Sequence, residues 1–299
     1  TLLANDPHLG FSAPSIWYLA RLELQSGGVI GGTIPGIPAV LAGRSARLGW
    51  GLTSSYMDDQ DLHIEQLNPE NPEEYRTPDG FAPFRTESSI IRIKDAPPIT
   101  LKLRWTQNGP VLPGTHYNLR AVTPPGHVAS LSWTALSAQD TTMSAAMTMM
   151  RAGSVEEGLE AGRLYVAPSQ NVTLVDQETI AMKTVGAMPR RNADHDSRGR
   201  MPTPGWEPRN RWQGISPYSA NPQFIAPAGG LLGNTNNKTV DRPFPLHVSY
   251  SWGDTQRVHR WRRLMQTRQV HTRDSFIEAQ LDTVSAAARN VLPLVARDL

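Results

Sequence analysis

The chain has 299 residues, 39% of them hydrophobic and 19% charged, which is the composition of a folded protein with room for a sizeable core. Basic residues number 29 and acidic residues 27, so despite a sequence pI of about 9.0 the charge balance points to no nucleic acid and no membrane as partner. Cysteine is absent, which excludes disulfides, zinc–thiolate sites and a thiol nucleophile within these residues and fits an exported bacterial protein.

Taken in order, the chain opens on apolar Leu2-Leu3-Ala4, read as a strand, followed by the polar group Asn5-Asp6-Pro7-His8-Leu9-Gly10. Polar side chains directly after a strand sit where sites are often built, although such a group is also a plain turn. The uncharged stretch 27–43 is interrupted by Pro35 and Pro38 and is no membrane span. Within it, Gly31-Gly32-Thr33-Ile34-Pro35-Gly36 reads as a shaped loop. Ile91 and Ile93 suggest a short strand. Ile99, Leu101, Leu103 and Trp105 alternate with Thr100, Lys102 and Arg104, the period of a strand with two unlike faces. Further strands are expected at Val128–Trp133, Val172–Val175 and Thr179–Val185, the last two paired across the turn residues Asp176-Gln177-Glu178.

Helices are fewer. Thr141–Arg151 spaces Met143, Met147 and Met150 as core filler. Ser154 and Glu157 form a capping-box pattern for the next helix. Residues 190–222, rich in Pro, Asn, Arg and Gly, read as a long surface excursion. From Gln256 the chain turns helical and basic, with Arg257, Arg260, Arg262 and Arg263 as a solvated face. Many strands with few helices predict an α+β protein with helices packed on a largely antiparallel sheet. Residues 1–255 form the core, and 256–299 begin a helical segment of the same unit. Apolar residues at both ends suggest a piece of a longer chain.

No G-x-S-x-G elbow, P-loop or H-E-x-x-H motif occurs. Three clusters remain. The Asn5–Gly10 group is the first. In the second, Trp50-Gly51-Leu52-Thr53-Ser54-Ser55-Tyr56-Met57-Asp58-Asp59-Gln60-Asp61, three carboxylates within four residues repel unless a hard cation or basic groups sit among them. The third is Asn234-Thr235-Asn236-Asn237-Lys238 with Trp252-Gly253 and Arg257, combining amides able to donate to an oxyanion with a permanent cation.

In this order and spacing the three clusters resemble the β subunit of the penicillin acylase family. So do Ala13-Pro14-Ser15-Ile16-Trp17-Tyr18, Ile34-Pro35-Gly36-Ile37-Pro38, Asn108-Gly109-Pro110-Val111, Pro168-Ser169-Gln170-Asn171 and Gly186-Ala187-Met188-Pro189-Arg190-Arg191. That family includes penicillin amidases and acyl-homoserine-lactone acylases. The resemblance implies an N-terminal-nucleophile (Ntn) hydrolase with a four-layer α/β/β/α sandwich, here lacking its first strand and its α subunit, and located in the periplasm or secreted. The family's nucleophile is a serine freed at the head of the β subunit by self-cleavage, its own amine acting as base. By this register it lies one strand upstream of Thr1. This chain is therefore expected to be inactive by itself, and Thr1 is not expected to replace the serine.

The remaining roles carry over by resemblance. His8 orients the nucleophile's amine; penicillin amidases with Gln at that position place this chain nearer the lactone-acylase branch. Ser54 supplies a backbone N–H and Asn236 a side-chain N–H to the oxyanion hole, and Arg257 orients Asn236. Leu9, Ile16, Trp17, Ile34 and Ile37 line the acyl pocket for a small N-acyl amide substrate. Asp58, Asp61 and the carbonyls of Gln60 and Pro189 bind calcium, with Asp241 as a further aspartate at a different spacing and a glutamate from the α subunit. Without that subunit the exposed apolar surface favours self-association. Two rival readings stand beside this one: a non-catalytic binding protein on the same scaffold, and a hydrolase whose nucleophile is internal, at Ser54 or Ser55.

Overall fold

The computed structural model describes residues 1–296. Its strands, in chain order, are β1 (Tyr18–Leu24), β2 (Gly27–Thr33), β3 (Ala42–Arg44), β4 (Gly49–Ser54) and β5 (Gln60–Gln66). Next come β6 (Glu74–Thr77), β7 (Gly80–Pro83), β8 (Arg85–Ile93), β9 (Ala96–Thr106) and β10 (Gly109–Leu112). The last are β11 (His127–Trp133), β12 (Gln170–Val175), β13 (Ile180–Val185), β14 (Thr203–Pro204) and β15 (Gln223–Ile225). A seven-stranded sheet runs β1-β2-β3-β4-β12-β13-β15, antiparallel throughout. A six-stranded sheet runs β14-β5-β11-β10-β9-β8, in which only β14 lies parallel to its neighbour. Strands β6 and β7 form a separate hairpin.

Alternation along β4, β12 and β13 divides the larger sheet into two faces. Trp50, Val172, Leu174, Ala181 and Val185 point to one of them and form the apolar core with Val29, Val40 and Leu48. Two helices cover that face: α1 (Thr142–Met149) and α2 (Val155–Ala161). Met149, Met150 and Val155 pack there, each side chain contributing about 1.5–3 kcal/mol by leaving water. Met143 instead remains exposed. The Ser154 hydroxyl accepts the Glu157 N–H at 3.2 Å, and the Glu157 carboxylate accepts the N–H of Gly153, one residue before the position a strict capping box uses.

Gly49, Gly51, Thr53, Asn171, Thr173 and Val175 face the other way. Among the described residues no strand covers them. Residues 1–17, expected to begin with a strand, form none, and 1–8 run beside this face outside the ladder. Asn5 replaces a ladder partner: its amide donates to the Leu52 carbonyl at 3.0 Å and accepts the Leu52 N–H at 3.4 Å. Gly51 permits this close crossing, because a Cβ there would lie 2.9 Å from Asn5 side-chain carbons. Beyond the segment lie α3 (Gln256–Gln266), α4 (Arg273–Gln280) and α5 (Ala286–Val295). The segment and these helices enclose a cleft of about 1090 Å³. The end of the expected helical stretch, 297–299, lies outside the described residues.

The expected strands at 99–105, 128–133, 172–175 and 179–185 all form, and the last two pair across Asp176, whose carboxylate accepts the N–H groups of Glu178 and Thr179. The β8–β9 hairpin alternates as read, with Ile99, Leu101 and Leu103 exposed. Residues 190–222 are not a loose surface excursion: Arg191, Asn210 and Asn221 are buried, tying this stretch onto β5 and β13.

Candidate active site

The site grows from the end of β4. Ser54 pairs with Gln170 and Thr53 with Asn171, so strand alternation turns Asn171 toward the cleft face. The Asn171 carbonyl oxygen accepts the Thr184 hydroxyl at 2.7 Å, which leaves its Nδ2 to donate to Asn234 Oδ1 at 3.2 Å. Asn234 Oδ1 also accepts the backbone N–H of Asn236 at 2.9 Å, and Asn237 Oδ1 accepts that of Thr235 at 3.0 Å. These short-range bonds form a turn in which Asn236 takes φ 63°, a left-handed conformation that Asn tolerates better than most residues.

Asn236 is fixed at every polar group. Its carbonyl accepts the Gly253 N–H at 2.9 Å, and a Cβ at 253 would approach that oxygen to 2.8 Å. Its Oδ1 accepts Arg257 Nη2 at 3.0 Å, and its Nδ2 donates to the Ser54 carbonyl at 2.9 Å. Because a guanidinium only donates, the amide cannot be turned the other way. Nδ2 carries two protons, and the Ser54 carbonyl takes one; the second is free for a ligand oxygen. Arg257 lies in the first turn of α3, where a cation opposes the helix dipole at a cost of about 0.3–1 kcal/mol. Its contact with Asn236 offsets this.

Arg257, Asn234, Thr235, Asn5 and His8 all border the cleft. His8 is exposed, with its Nε2 3.9 Å from Asp6 Oδ2, and makes no hydrogen bond to Asn236 among the described residues. Ser54 is exposed at its strand end, whereas the Ser55 hydroxyl is buried and accepts the Met57 N–H at 3.3 Å. Thr1 occupies the far end of the same face: its hydroxyl donates to the Asp176 carbonyl. From Asp176 back to Gln170, beside Ser54, is roughly 20 Å of strand.

The expected acyl-pocket residues do not converge on this cleft. Ile16 and Trp17 precede β1, and the Trp17 ring lies against Gly32. Ile34 and Ile37 lie in the turn after β2, where Ile37 packs on the main core, and Leu9 is exposed. The apolar cleft wall comes instead from Leu3, Val175, Ile180, Trp261, Leu264 and Phe276. Sequence spacing could not pair the N-terminal segment with a helix some 260 residues later.

The acidic cluster departs furthest from expectation. Asp58 and Asp61 do converge, but on a guanidinium. Arg191 Nε donates to Asp61 Oδ2 at 2.8 Å, and its Nη2 lies 3.2 Å from Asp58 Oδ1, 3.0 Å from the Asp58 carbonyl and 3.5 Å from the Gln60 carbonyl. His247 Nε2 meets Asp58 Oδ2 at 2.8 Å, and Trp212 Nε1 donates to Asp61 Oδ2 at 2.5 Å. Pro189 is held in a bridge with Ile215, while Asp241 is exposed and paired with Lys238. Asp59 takes no part in these bonds, and burial, with the Asp58 charge beside it, pushes its carboxyl up from 3.8 to about 6. Carboxylate crowding had left basic groups as an alternative to a hard cation. The resemblance favoured calcium; that Arg191, Trp212 and His247 meet these carboxylates could not be read from local spacing, because each arrives from more than 120 residues away.

A second buried polar group, absent from the sequence reading, lies in the smaller sheet. Glu65 Oε1 accepts Ser130 Oγ at 2.7 Å, Thr106 Oγ1 at 2.9 Å and Asn108 Nδ2 at 2.9 Å. Nearby His63 is held below the usual histidine range by burial.

With this geometry in hand, comparison with known proteins is informative. The penicillin amidase family model matches residues 1–299. The acyl-homoserine lactone acylase QuiP of Pseudomonas aeruginosa is 30% identical over 290 residues, covering 95% of this chain and 34% of that protein. Penicillin acylase 2 proenzyme of a Pseudomonas species is 26% identical, covering 89% and 33%. The chain thus spans about a third of the length of these curated relatives. Among solved structures, the thermostable penicillin G acylase of Alcaligenes faecalis superposes with a TM-score of 0.78 at 22% identity, over 91% of this chain and 47% of that one. The mixed α/β architecture is therefore that of an Ntn hydrolase, and the chain belongs to the penicillin amidase family.

Proposed function

We propose that these residues supply the oxyanion hole and its supports to an N-acyl amide hydrolase acting through a serine acyl-enzyme. The observation that carries this is the Asn236 amide, locked by Arg257 and the Ser54 carbonyl with one N–H left to give. A preset donor of this kind stabilises the negative oxygen that develops as the amide carbon becomes tetrahedral. The Ser54 backbone N–H, on the same strand end, is its partner. The nucleophile is a serine outside Thr1–Leu299, whose own amine takes the hydroxyl proton and returns it to the leaving nitrogen. The position of Thr1 at the Asp176 end of the face supports a nucleophile other than Thr1, and His8 is assigned to orient the incoming amine. The cleft between the N-terminal segment and α3 receives the remaining chain, an α subunit among it, and the acyl group.

The substrate class is an N-acyl amide. Acyl-homoserine lactones and N-acyl β-lactams both belong to it, as the relatives' names suggest, so the assay includes one of each alongside a chromogenic acyl anilide. In the full-length enzyme, Asn236→Ala lowers kcat by about 10²–10³, whereas Ser54→Ala, which keeps the backbone N–H, does not abolish turnover. Loss of all activity in Ser54→Ala assigns an internal nucleophile instead. Hydrolysis by residues 1–299 alone, with Thr1 confirmed by mass spectrometry, removes the outside nucleophile from the proposal.

A further inference from the structure

We propose that Arg191 is the resident cation of the Asp58–Asp61 site, so that this member of the family holds the loop after β4 without calcium. The donor set argues for this. Of the oxygens expected to ligate calcium, Asp61 Oδ2 already accepts from Arg191 and Trp212, Asp58 Oδ1 faces Arg191, and Asp58 Oδ2 faces His247. The carbonyls of Asp58 and Gln60 lie within reach of the same guanidinium nitrogen. One planar fork thus meets both carboxylates and both carbonyls, a role for which arginine is suited and lysine is not.

Burial argues the same way. The Arg191 side chain is 2% exposed and that of Asp61 4% exposed. A guanidinium does not lose its proton in a protein, so a divalent ion added here would face a permanent positive charge at close range. Gly199, at φ +78°, closes over the site, and a Cβ there would lie 2.8 Å from Arg191 Nε and 3.0 Å from Asp58 Oδ2. Asp241 does not supply a further ligand, being exposed and paired with Lys238. Among the described residues no group of three or more His, Asp or Glu side chains has the geometry of a metal site. Two carboxylates crowded next to the oxyanion-hole strand need a cation, and an arginine 130 residues away provides it.

The inference is independent of the acylase reading, and its test reads binding and stability rather than turnover. The full-length protein is stripped with EDTA and titrated with CaCl2 by calorimetry, alongside Asp61→Asn. Thermal melts are recorded in EDTA and in calcium. Wild type is expected to show no calcium uptake that Asp61→Asn abolishes, and its Tm is the same in the two buffers, where an ion bound at a hundredfold excess over its Kd would raise it. Calcium uptake that Asp61→Asn abolishes overturns the proposal. In calcium-free buffer Arg191→Met lowers Tm; an unchanged Tm overturns the assignment of Arg191. Where Arg191→Met does not fold, the wild-type titration decides.

Discussion

Two arginines bracket the segment from Ser54 to Asp61, and they are used in opposite ways. Arg191 is sealed from solvent between two carboxylates, its charge consumed by neighbours. Arg257 is half-buried at the cleft, and its one side-chain acceptor there is the neutral carbonyl oxygen of Asn236. A guanidinium already balanced by acids adds little field to a reacting group nearby. One bonded to a neutral amide keeps its charge and passes it along that amide, making the remaining N–H of Asn236 a better donor. The difference is that between a cation that stabilises a loop and a cation left to act on a ligand.

The largest expected effect breaks the structural side of this comparison. Arg191→Met leaves Asp58 and Asp61 buried without a cation and costs about 3–5 kcal/mol of stability. Arg257→Met costs at most about 1.5 kcal/mol. Urea unfolding of the two variants separates them. Next comes Asn236→Ala, with its loss of about 10²–10³ in kcat, or 2.7–4 kcal/mol. Arg257→Met follows it with a loss of about 10–100-fold, the worth of a charged hydrogen bond to the amide; both retain near-normal melting curves. Arg191→Met and Arg257→Met ranking in the same order in stability and in turnover would dissolve the distinction between the two arginines.

Asp59 sharpens the electrostatics of the same loop. Its folded-state pKa of about 6 lies above its ordinary value of 3.8, so the folded protein holds the proton more tightly than the unfolded chain. The resulting penalty is fully present above pH 6 and fades as pH falls through 6 toward 3.8. Asp59→Asn is therefore expected to stabilise the protein by about 2 kcal/mol at pH 7 and to lose that advantage below about pH 4. Melting curves across this range measure it. The smallest effect is that of Trp212→Phe, which removes one of two donors to Asp61 Oδ2 and costs about 1 kcal/mol while Arg191 remains.

Much of this was legible in the residues. Alternation placed the core strands, because a period of two survives whatever a strand packs against, and β12–β13 closed across Asp176 as its turn chemistry required. The motif around Asn236 carried its own geometry, since Asn234 and Asn237 fold that turn through bonds spanning two residues. The Leu2-Leu3-Ala4 strand was misread because a short apolar run cannot say whether a neighbour's ladder edge is present, and here the Asn5 side chain after it meets Leu52 in place of a backbone ladder.

What the sequence determined by itself was therefore local: strand periods, turn chemistry, the membership carried by ordered motifs, and the need for positive charge among three clustered acids. What only the tertiary structure decided was which group supplies that charge. Arg191 reaches Asp61 across 130 positions, and Trp212 reaches it across 151. Contacts of that range depend on how β4, β5 and the 190–222 stretch pack together, and short-range spacing carries no record of it. The crowding of carboxylates is a local fact, whereas their neutralisation is settled where distant segments meet.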